Sequence, residues 1–394
     1  MPSQLSQDRS ATVGPGSSSL LEGLLAEQQE LTPVERFARA KNATKARSSR
    51  TGSSYLIPLE RPGKDQQYGF EVDLEACTGC RSCVTACHSL GGLDNGESWR
   101  SVGLLQGGEQ GEPFQQPVTS SCHHCLDPSC LKGCPANAYE KDATTGIVVH
   151  LDDQCIGCRY CTLMCPYNAP VYNRSRGIVR KCDMCMDRLT AGLAPACAEA
   201  CPTDAISIGV IDHNTAVRES ASGGLINGTA DATRTIPTTR YRSKRPLPKN
   251  LLPADYYTLK PAEPHTSLVL MLVFTQLSVG ALGIGMVVEG FLDGRLTQSL
   301  SSAYRWTGLT AGLLALTVST LHLGRPLRAL RALLGLGRSW LSREILAFTA
   351  FALSAAVWAL LPAAKPIGEA APVTLMAAAW LESTIGFTVA AAGL

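Results

Sequence analysis

Cys155-Ile156-Gly157-Cys158-Arg159-Tyr160-Cys161-Thr162-Leu163-Met164-Cys165-Pro166 sets four thiols at gaps of two, two and three residues and follows the last with proline. Outward from this run, the same kind of grouping recurs on both sides. All sixteen cysteines of the 394-residue chain lie between Cys77 and Cys201. The other groups are Cys77, Cys80, Cys83, Cys87; then Cys122, Cys125, Cys130, Cys134; and Cys182, Cys185, Cys197, Cys201. Three of the four groups end in Cys-Pro, at Pro135, Pro166 and Pro202. Disulfide frameworks suit short secreted chains. Here Met1 to Ser19 is polar, with no secretory signal and no twin-arginine pair before an apolar run, so unless a partner carries the protein across, the thiols read as metal ligands in the reducing cytoplasm.

The run C-x2-C-x2-C-x3-C-P is the ligand pattern of bacterial [4Fe–4S] ferredoxins, in which the fourth cysteine of one run ligates the cluster of the other. Groups therefore work in pairs. The inner pair gives Cys122, Cys125, Cys130 with Cys165, and Cys155, Cys158, Cys161 with Cys134. The outer pair gives Cys77, Cys80, Cys83 with Cys201, and Cys182, Cys185, Cys197 with Cys87. Zinc would need only two C-x2-C pairs per site, and explains neither the third cysteine nor the prolines. Short β-like segments (Tyr68 to Val72, Gly146 to Leu151, Ile178 to Arg180, Ala205 to Val210) interleave with the groups. The fold class is therefore α+β, two ferredoxin-like units in tandem. The Gly-rich stretch between Cys87 and Cys122 reads as a long surface loop anchored by Trp99.

Around this 67–210 domain the composition changes. Residues 1–66 read as an extension ordered only in its middle, with an apolar helical face at Leu20, Leu21, Leu24 and Leu25 and a capping box at Thr32-Pro33-Val34-Glu35. It packs on its own domain or clasps a partner. Residues 211–264, rich in Ser, Thr, Gly, Pro and Arg, read as a linker or strap. Residues 265–394 hold four apolar runs: Thr266 to Val288, Trp306 to Gly324, Ile345 to Ala364, and Ala370 to Leu394 with one charge at Glu382. Charged residues are only 17% of the chain, against roughly 25% in typical soluble proteins. An all-α transmembrane bundle of about four helices is expected.

No G-x-G-x-x-G, Walker A or H-E-x-x-H motif occurs, so the chain carries electrons without a substrate site of its own; no flavin and no nucleic-acid partner is expected. His88, His123 and His124 sit beside cysteines and read as residues that shape the loops.

The runs Cys77-Thr-Gly-Cys80-Arg-Ser-Cys83, Cys122-His-His-Cys125 with Asp127-Pro128, Cys155 to Cys161 with Cys165-Pro166-Tyr167, and Lys181-Cys-Asp-Met-Cys185 with Asp187-Arg188 resemble the four-cluster subunit of dimethyl sulfoxide reductase-type molybdopterin oxidoreductases. The resemblance spans about Tyr68 to Val210. In the related nitrate reductase subunit a tryptophan replaces the second cysteine of the third group; Cys158 stands here, which implies four [4Fe–4S] clusters. Leu321-His322-Leu-Gly-Arg-Pro-Leu327 and Ser339-Trp-Leu-Ser-Arg-Glu344 are similar to the family's membrane anchor, usually a separate polypeptide of eight helices. Here it is fused and reads as shortened and incomplete. The resemblance implies a molybdopterin-containing catalytic partner, the quinone pool and a multi-pass place in the bacterial inner membrane.

His322 is the candidate quinol residue, with a plain interfacial histidine as the alternative, and Glu382 a candidate for proton handling. Only His265 and His322 could ligate a membrane haem, and both lie at helix ends on one side, so no haem is expected. The arginine-rich loop (Arg325, Arg328, Arg331, Arg338, Arg343) and the flank Arg242, Lys244, Arg245, Lys249 and Lys260 place the cluster domain in the cytoplasm by the positive-inside rule. Alternatively, the loop arginines dock the cluster domain or a partner. Two other functions stay open: a dehydrogenase-type subunit, such as for formate, feeding quinone, and a stand-alone membrane-tethered ferredoxin.

Overall fold

The computed structural model describes residues 56–109, 111–223, 225–259, 265–291 and 295–360. The helical face at Leu20 to Leu25, the capping box at Thr32, the run Ala370 to Leu394 and Glu382 lie outside the described residues.

Strand β1 (Gln66–Asp73) leads into the first cysteine group and helix α1 (Ser82–Leu90). The segment expected to be a long loop is instead a hairpin, β2 (Arg100–Glu109) with β3 (Glu112–Ser121). The two strands pair in register from Arg100 opposite Ser121 to Glu109 opposite Glu112. Glycines at 103, 107 and 108 hide the alternation that marks a strand. β3 pairs with β2 alone, and an edge strand tolerates Pro113 and Pro117 because it has donors to spare on its free side. Trp99, just before the hairpin, donates its indole N–H to Glu97 (3.0 Å) and lies under the Arg180 guanidinium.

Next come α2 (Ser129–Gly133), the hairpin β4 (Tyr139–Lys141) and β5 (Val148–His150), α3 (Tyr160–Met164), and the hairpin β6 (Val171–Asn173) and β7 (Ile178–Arg180). After α4 (Met186–Thr190) and α5 (Ala196–Glu199), strand β8 (Ile206–Asp212) returns antiparallel to β1. Register then decides which cysteines meet. Val72 faces Ile206, so the chain leaving β1 toward Cys77 and the chain arriving from Cys201 emerge at one end of the sheet. Tyr139 faces His150, which does the same for Cys134 and Cys155.

Helix α6 (His213–Ala221) is capped by Asp212, whose carboxylate accepts from Thr215 N–H. The chain then recrosses the domain: β9 (Arg240–Arg242) adds parallel to β1 and β10 (Leu252–Pro253) adds to β2. Residues 211–259 are thus tied into two sheets.

A local repeat underlies the cysteine loops. After each Cys-Pro stands x-Asn/Asp-Ala: Asn137, Asn168 and Asp204. All three adopt left-handed φ values of 53°, 52° and 54°, which short polar side chains accept more readily than others. The turn aims the next alanine's N–H back at the cysteine sulfur: Ala138 to Cys134 (3.3 Å) and Ala205 to Cys201 (3.3 Å), with Ala169 serving Cys165 in the same way.

Among the described residues from Thr266 onward the elements are helical: α7 (Thr266–Phe291), α8 (Arg295–Leu321), a 3-10 helix (Pro326–Leu333) and α9 (Trp340–Leu360). Among the described residues, Thr266–Val288 and Trp340–Leu360 are long and apolar enough to cross a membrane; α8 with the 3-10 helix, bent by 103°, makes a third candidate. The second span begins earlier than its uncharged run suggests and stops at Leu321, where the chain turns ahead of Pro326. Val269, Leu272, Ile284, Leu313 and Leu353 face outward, as lipid-facing residues do. Small residues let α7 and α8 approach: Gly308 lies against Leu282, and Ser278 Oγ donates to the Gly308 carbonyl at 2.7 Å.

The anchor and the cluster domain share a core, in which Ala332, Leu323 and Ile345 pack with Ile156, Ile178 and Val179. At its centre three glycines meet. A Cβ on Gly324 would lie 2.0 Å from the Gly177 carbonyl oxygen, and one on Gly157 would lie 2.9 Å from Gly324 Cα. Arg325 N–H donates to the Ile156 carbonyl at 3.1 Å, extending the contact backbone to backbone.

Candidate functional site

Three cavities in the ferredoxin-like domain are each lined by four cysteines. One holds Cys77, Cys80, Cys83 and Cys201; another Cys122, Cys125, Cys130 and Cys165; and one more Cys134, Cys155, Cys158 and Cys161. The remaining four lie together: Cys87 is within electrostatic reach of Cys197 and Cys185, and Cys182 of Cys87 and Cys197. Each set takes three cysteines from one group and one from its partner, because the β1–β8 and β4–β5 registers bring the partner groups to the same sheet ends.

The donor chemistry fits an iron–sulfur cluster in each set. All sixteen cysteines are free thiols. Burial first, then the charges of neighbouring cysteines, push Cys87 up to about 12; burial, partly offset by Lys181, does the same to Cys130. Burial keeps these groups as neutral thiols when nothing is bound, and a metal that takes them as thiolates supplies the positive charge the thiolates need. Two buried cations stand between the sets. Arg100, 2% exposed, donates to Thr119 Oγ1 (3.1 Å) and Ser121 Oγ (2.9 Å) and feels Cys197, Cys182, Cys83 and Cys87. Lys181, 3% exposed, donates to the carbonyls of Val148 and Cys182 and feels Cys122, Cys130 and Cys182. A buried cation hydrogen-bonded to neutral oxygens calls for nearby negative charge, which thiolate-ligated clusters provide.

These contacts order the sets in a row. Cys83 of the first set (Cys77, Cys80, Cys83, Cys201) feels Cys197 of the second (Cys87, Cys182, Cys185, Cys197), Cys182 of the second feels Cys122 of the third (Cys122, Cys125, Cys130, Cys165), and Tyr139 feels Cys161 of the fourth (Cys134, Cys155, Cys158, Cys161) and Cys130 of the third. The fourth set lies under the anchor: Gly335 N–H donates to the Pro135 carbonyl (2.7 Å) and Ser339 Oγ to the Gly133 carbonyl (2.8 Å). At the opposite end Cys80 is exposed.

His123 and His124 are fully buried. His123 Nδ1 bonds Thr239 Oγ1 at 2.8 Å, and burial with the nearby Arg100 charge pulls its pKa down to about 3. His124 Nδ1 accepts from Val148 N–H at 3.1 Å, which fixes a neutral ring. His88, half-buried, closes α1.

At the anchor junction His322 Nδ1 donates to the Ser319 carbonyl, leaving Nε2 for another partner, and the ring lies within electrostatic reach of Arg159 and His265. Arg159 lies within the Cys155–Cys161 run and stacks over Tyr172 (3.7 Å). Burial, then the Glu344 carboxylate and the Cys158 thiol, raise the pKa of Tyr160. The junction thus gathers His322, Arg159, Tyr160 and Glu344 beside the fourth set. Sequence reasoning passed over the last three as site residues; the signal available was Glu344 one turn inside α9, an acidic residue at a membrane boundary.

The arginine-rich loop is bound to the cluster domain. Arg325 donates to the Asp152 carbonyl (2.6 Å), Arg331 to the Asp153 carbonyl (2.7 Å) together with Arg328, and Arg338 to Asn137 Oδ1 (2.9 Å). Docking accounts for these four.

A ferredoxin-like row of cysteine sets seated on apolar helices defines a membrane-anchored iron–sulfur electron-transfer protein. Residues 115–211 match the model of the 4Fe-4S dicluster domain, and residues 261–381 match that of the DMSO reductase anchor subunit. The sequence is 43% identical over 155 residues to the B subunit of the anaerobic dimethyl sulfoxide reductase of Escherichia coli strain K12, covering 37% of this polypeptide and 75% of that one. The corresponding Haemophilus influenzae subunit is 39% identical over 157 residues (38% and 76%). The iron–sulfur subunit of the nitrate-inducible formate dehydrogenase of Escherichia coli strain K12 is 34% identical over 180 residues (41% and 60%). This protein belongs to the dimethyl sulfoxide reductase family as an iron–sulfur electron-transfer subunit, fused in one polypeptide to an anchor of the same family.

Proposed function

We propose that the protein passes electrons between the quinone pool and a separate molybdopterin-containing catalytic subunit through four [4Fe–4S] clusters, one per cysteine set. Each cluster, when bound, supplies a one-electron site. The protein's own part is to hold the sites in a row, bury the spaces between them, and place cations there. The observation that carries this reading is the division of sixteen thiols into four sets of four, one end under an anchor and the other exposed.

His322 is proposed to bind quinol through Nε2, with the Arg159 charge beside it to orient the quinol oxygen and Glu344, near Tyr160, to exchange protons near the fourth set. Glu382 remains a proposal from sequence for the same task. The domain division is proposed as 1–66, 67–210, 211–264 and 265–394. We place the protein in the bacterial inner membrane with the cluster domain on the cytoplasmic side. Four loop arginines already have a docking use, so this orientation rests on Arg343 and the basic flank at Lys244 and Lys249. Thiol or protease access from the periplasm alone would reverse it.

Two measurements test the reading. Iron and sulfide should each be about sixteen per polypeptide, four per cluster; an iron-free, zinc-loaded protein would sink it. A molybdenum-containing subunit should co-purify. A protein that purifies alone and reduces soluble acceptors would instead be a tethered ferredoxin. The likeness to a formate dehydrogenase subunit keeps the opposite direction of flow as the second reading, decided by cluster potentials.

A further inference from the structure

Tyr139 opens β4, directly opposite His150 of β5, in the wall of the cavity that the fourth cysteine set lines. It is 4% exposed, and its hydroxyl has no hydrogen-bond partner, sulfur included, among the described residues. Leaving a buried hydroxyl unmatched is destabilising, so the absence of a partner asks for an explanation. The ring cannot swing away to find one. It stands edge-on to the His150 imidazole, with centroids 4.9 Å apart. His150 Nδ1 is held by Asp152 Oδ1 at 2.8 Å, and the Asp152 carbonyl is held by Arg325 of the anchor at 2.6 Å. The residue so fixed shares the wall of one cavity with Cys134, Cys155, Cys158 and Cys161, and the phenol feels Cys161 first, then Cys130 and Cys134.

On the reading that the fourth set holds a cluster, we propose that the Tyr139 hydroxyl donates a hydrogen bond to the ligand sulfur of Cys161 and so raises the midpoint potential of the anchor-side cluster. A donor to a ligand sulfur disperses charge from the cluster and favours the reduced state, which carries one more electron. The residue lies in the cluster wall but is not a ligand, and it touches the set nearest the membrane. Its contribution is therefore local to one of four sites. The support it receives from Arg325 through Asp152 and His150 ties the donor's position to a docked anchor.

Tyr139→Phe removes one oxygen and leaves the ring. The full-length protein in its membrane complex would be titrated electrochemically and followed by electron paramagnetic resonance. The expected result is a lower midpoint for one cluster, the same one whose signal Cys161→Ser alters, with the other three unmoved. An unchanged midpoint, a rise, or a shift in a different cluster would overturn the proposal. Hyperfine spectroscopy of the unmodified protein in H2O and D2O gives an independent answer if the variant loses iron. A solvent-exchangeable proton coupled to the cluster that Cys161 ligates supports the donor, and its absence contradicts it. Iron near sixteen atoms per unmodified polypeptide, the number four clusters require, keeps the two questions apart. Too little iron defeats the four-cluster reading, whereas full iron with no shift defeats only the role of Tyr139.

Discussion

Cys80 and Cys158 hold the same place in the same motif, Cys-x-Gly-Cys-Arg, and the fold sends them to opposite ends of the row. Their backbones match: Gly79 and Gly157 have φ of 74° and 72°, and Arg81 and Arg159 have 62° and 61°. Their surroundings do not. Cys80 is exposed; a small burial effect is outweighed by hydrogen bonds from Ser82 and Thr78, which hold its pKa below the ordinary thiol value. Cys158 lies beneath the anchor, and burial pushes its pKa up to about 12. The motif specifies the turn that presents a thiol to a cluster. What packs over the turn decides whether that site faces a membrane helix or a partner.

Gly324 is where the two ends come apart most completely. Gly324→Val forces a side chain into the Gly177 carbonyl, and overpacking of this kind costs about 1–3 kcal/mol or more. Quinol-driven reduction should fall about tenfold or more while dithionite still reduces every cluster; loss of both would mean general misfolding. A narrower break separates the sets: Cys201→Ser should disturb the cluster of the first group and spare that of Cys155, read as the loss of one spectroscopic signal. A smaller effect is expected at the docking loop. Arg328→Ala with Arg331→Ala removes both donors to the Asp153 carbonyl, about 1 kcal/mol each, and should speed hydrogen exchange around residues 152–159 without touching the Cys80 end.

The smallest effect is a pH dependence far from the anchor. Hydrogen bonds from Asn173, Arg176 and Ser175, in that order, hold the Asp94 carboxyl well below its usual range and clasp the loop before β2 to the β6–β7 hairpin. A depressed carboxylate stabilises the fold fully above its unfolded pKa of about 3.9 and loses that contribution as pH falls toward its folded value. The melting difference between the parent and Asp94→Asn should therefore hold steady from pH 7 to about 5 and shrink below about 4.

Cysteine spacing made the ferredoxin-like character legible, because a cluster demands thiols at short fixed intervals whatever the rest of the sequence does. The three copies of Cys-Pro-x-Asn/Asp-Ala were equally available as a signature of left-handed turns. The β2–β3 hairpin was not legible, since Gly103, Gly107 and Gly108 stand where alternating side chains would reveal strands. The arginine loop was ambiguous for a different reason. Positive charge facing the cytoplasm and positive charge seated on carbonyls have one composition, and only contacts such as Arg325 with Asp152 separate them.

If electrons enter and leave at different ends of one row, the loss of an end site should depend on which end it is. Cys161→Ser and Cys80→Ser, compared in the intact complex with quinol as donor, test this directly. The Cys161 variant should leave the three remaining clusters oxidised in the presence of quinol yet reducible by dithionite. The Cys80 variant should let quinol reduce its three remaining clusters while turnover of the catalytic partner stops. If quinol reduces the rest of the row without the Cys161 site but not without the Cys80 site, the order of the row is wrong.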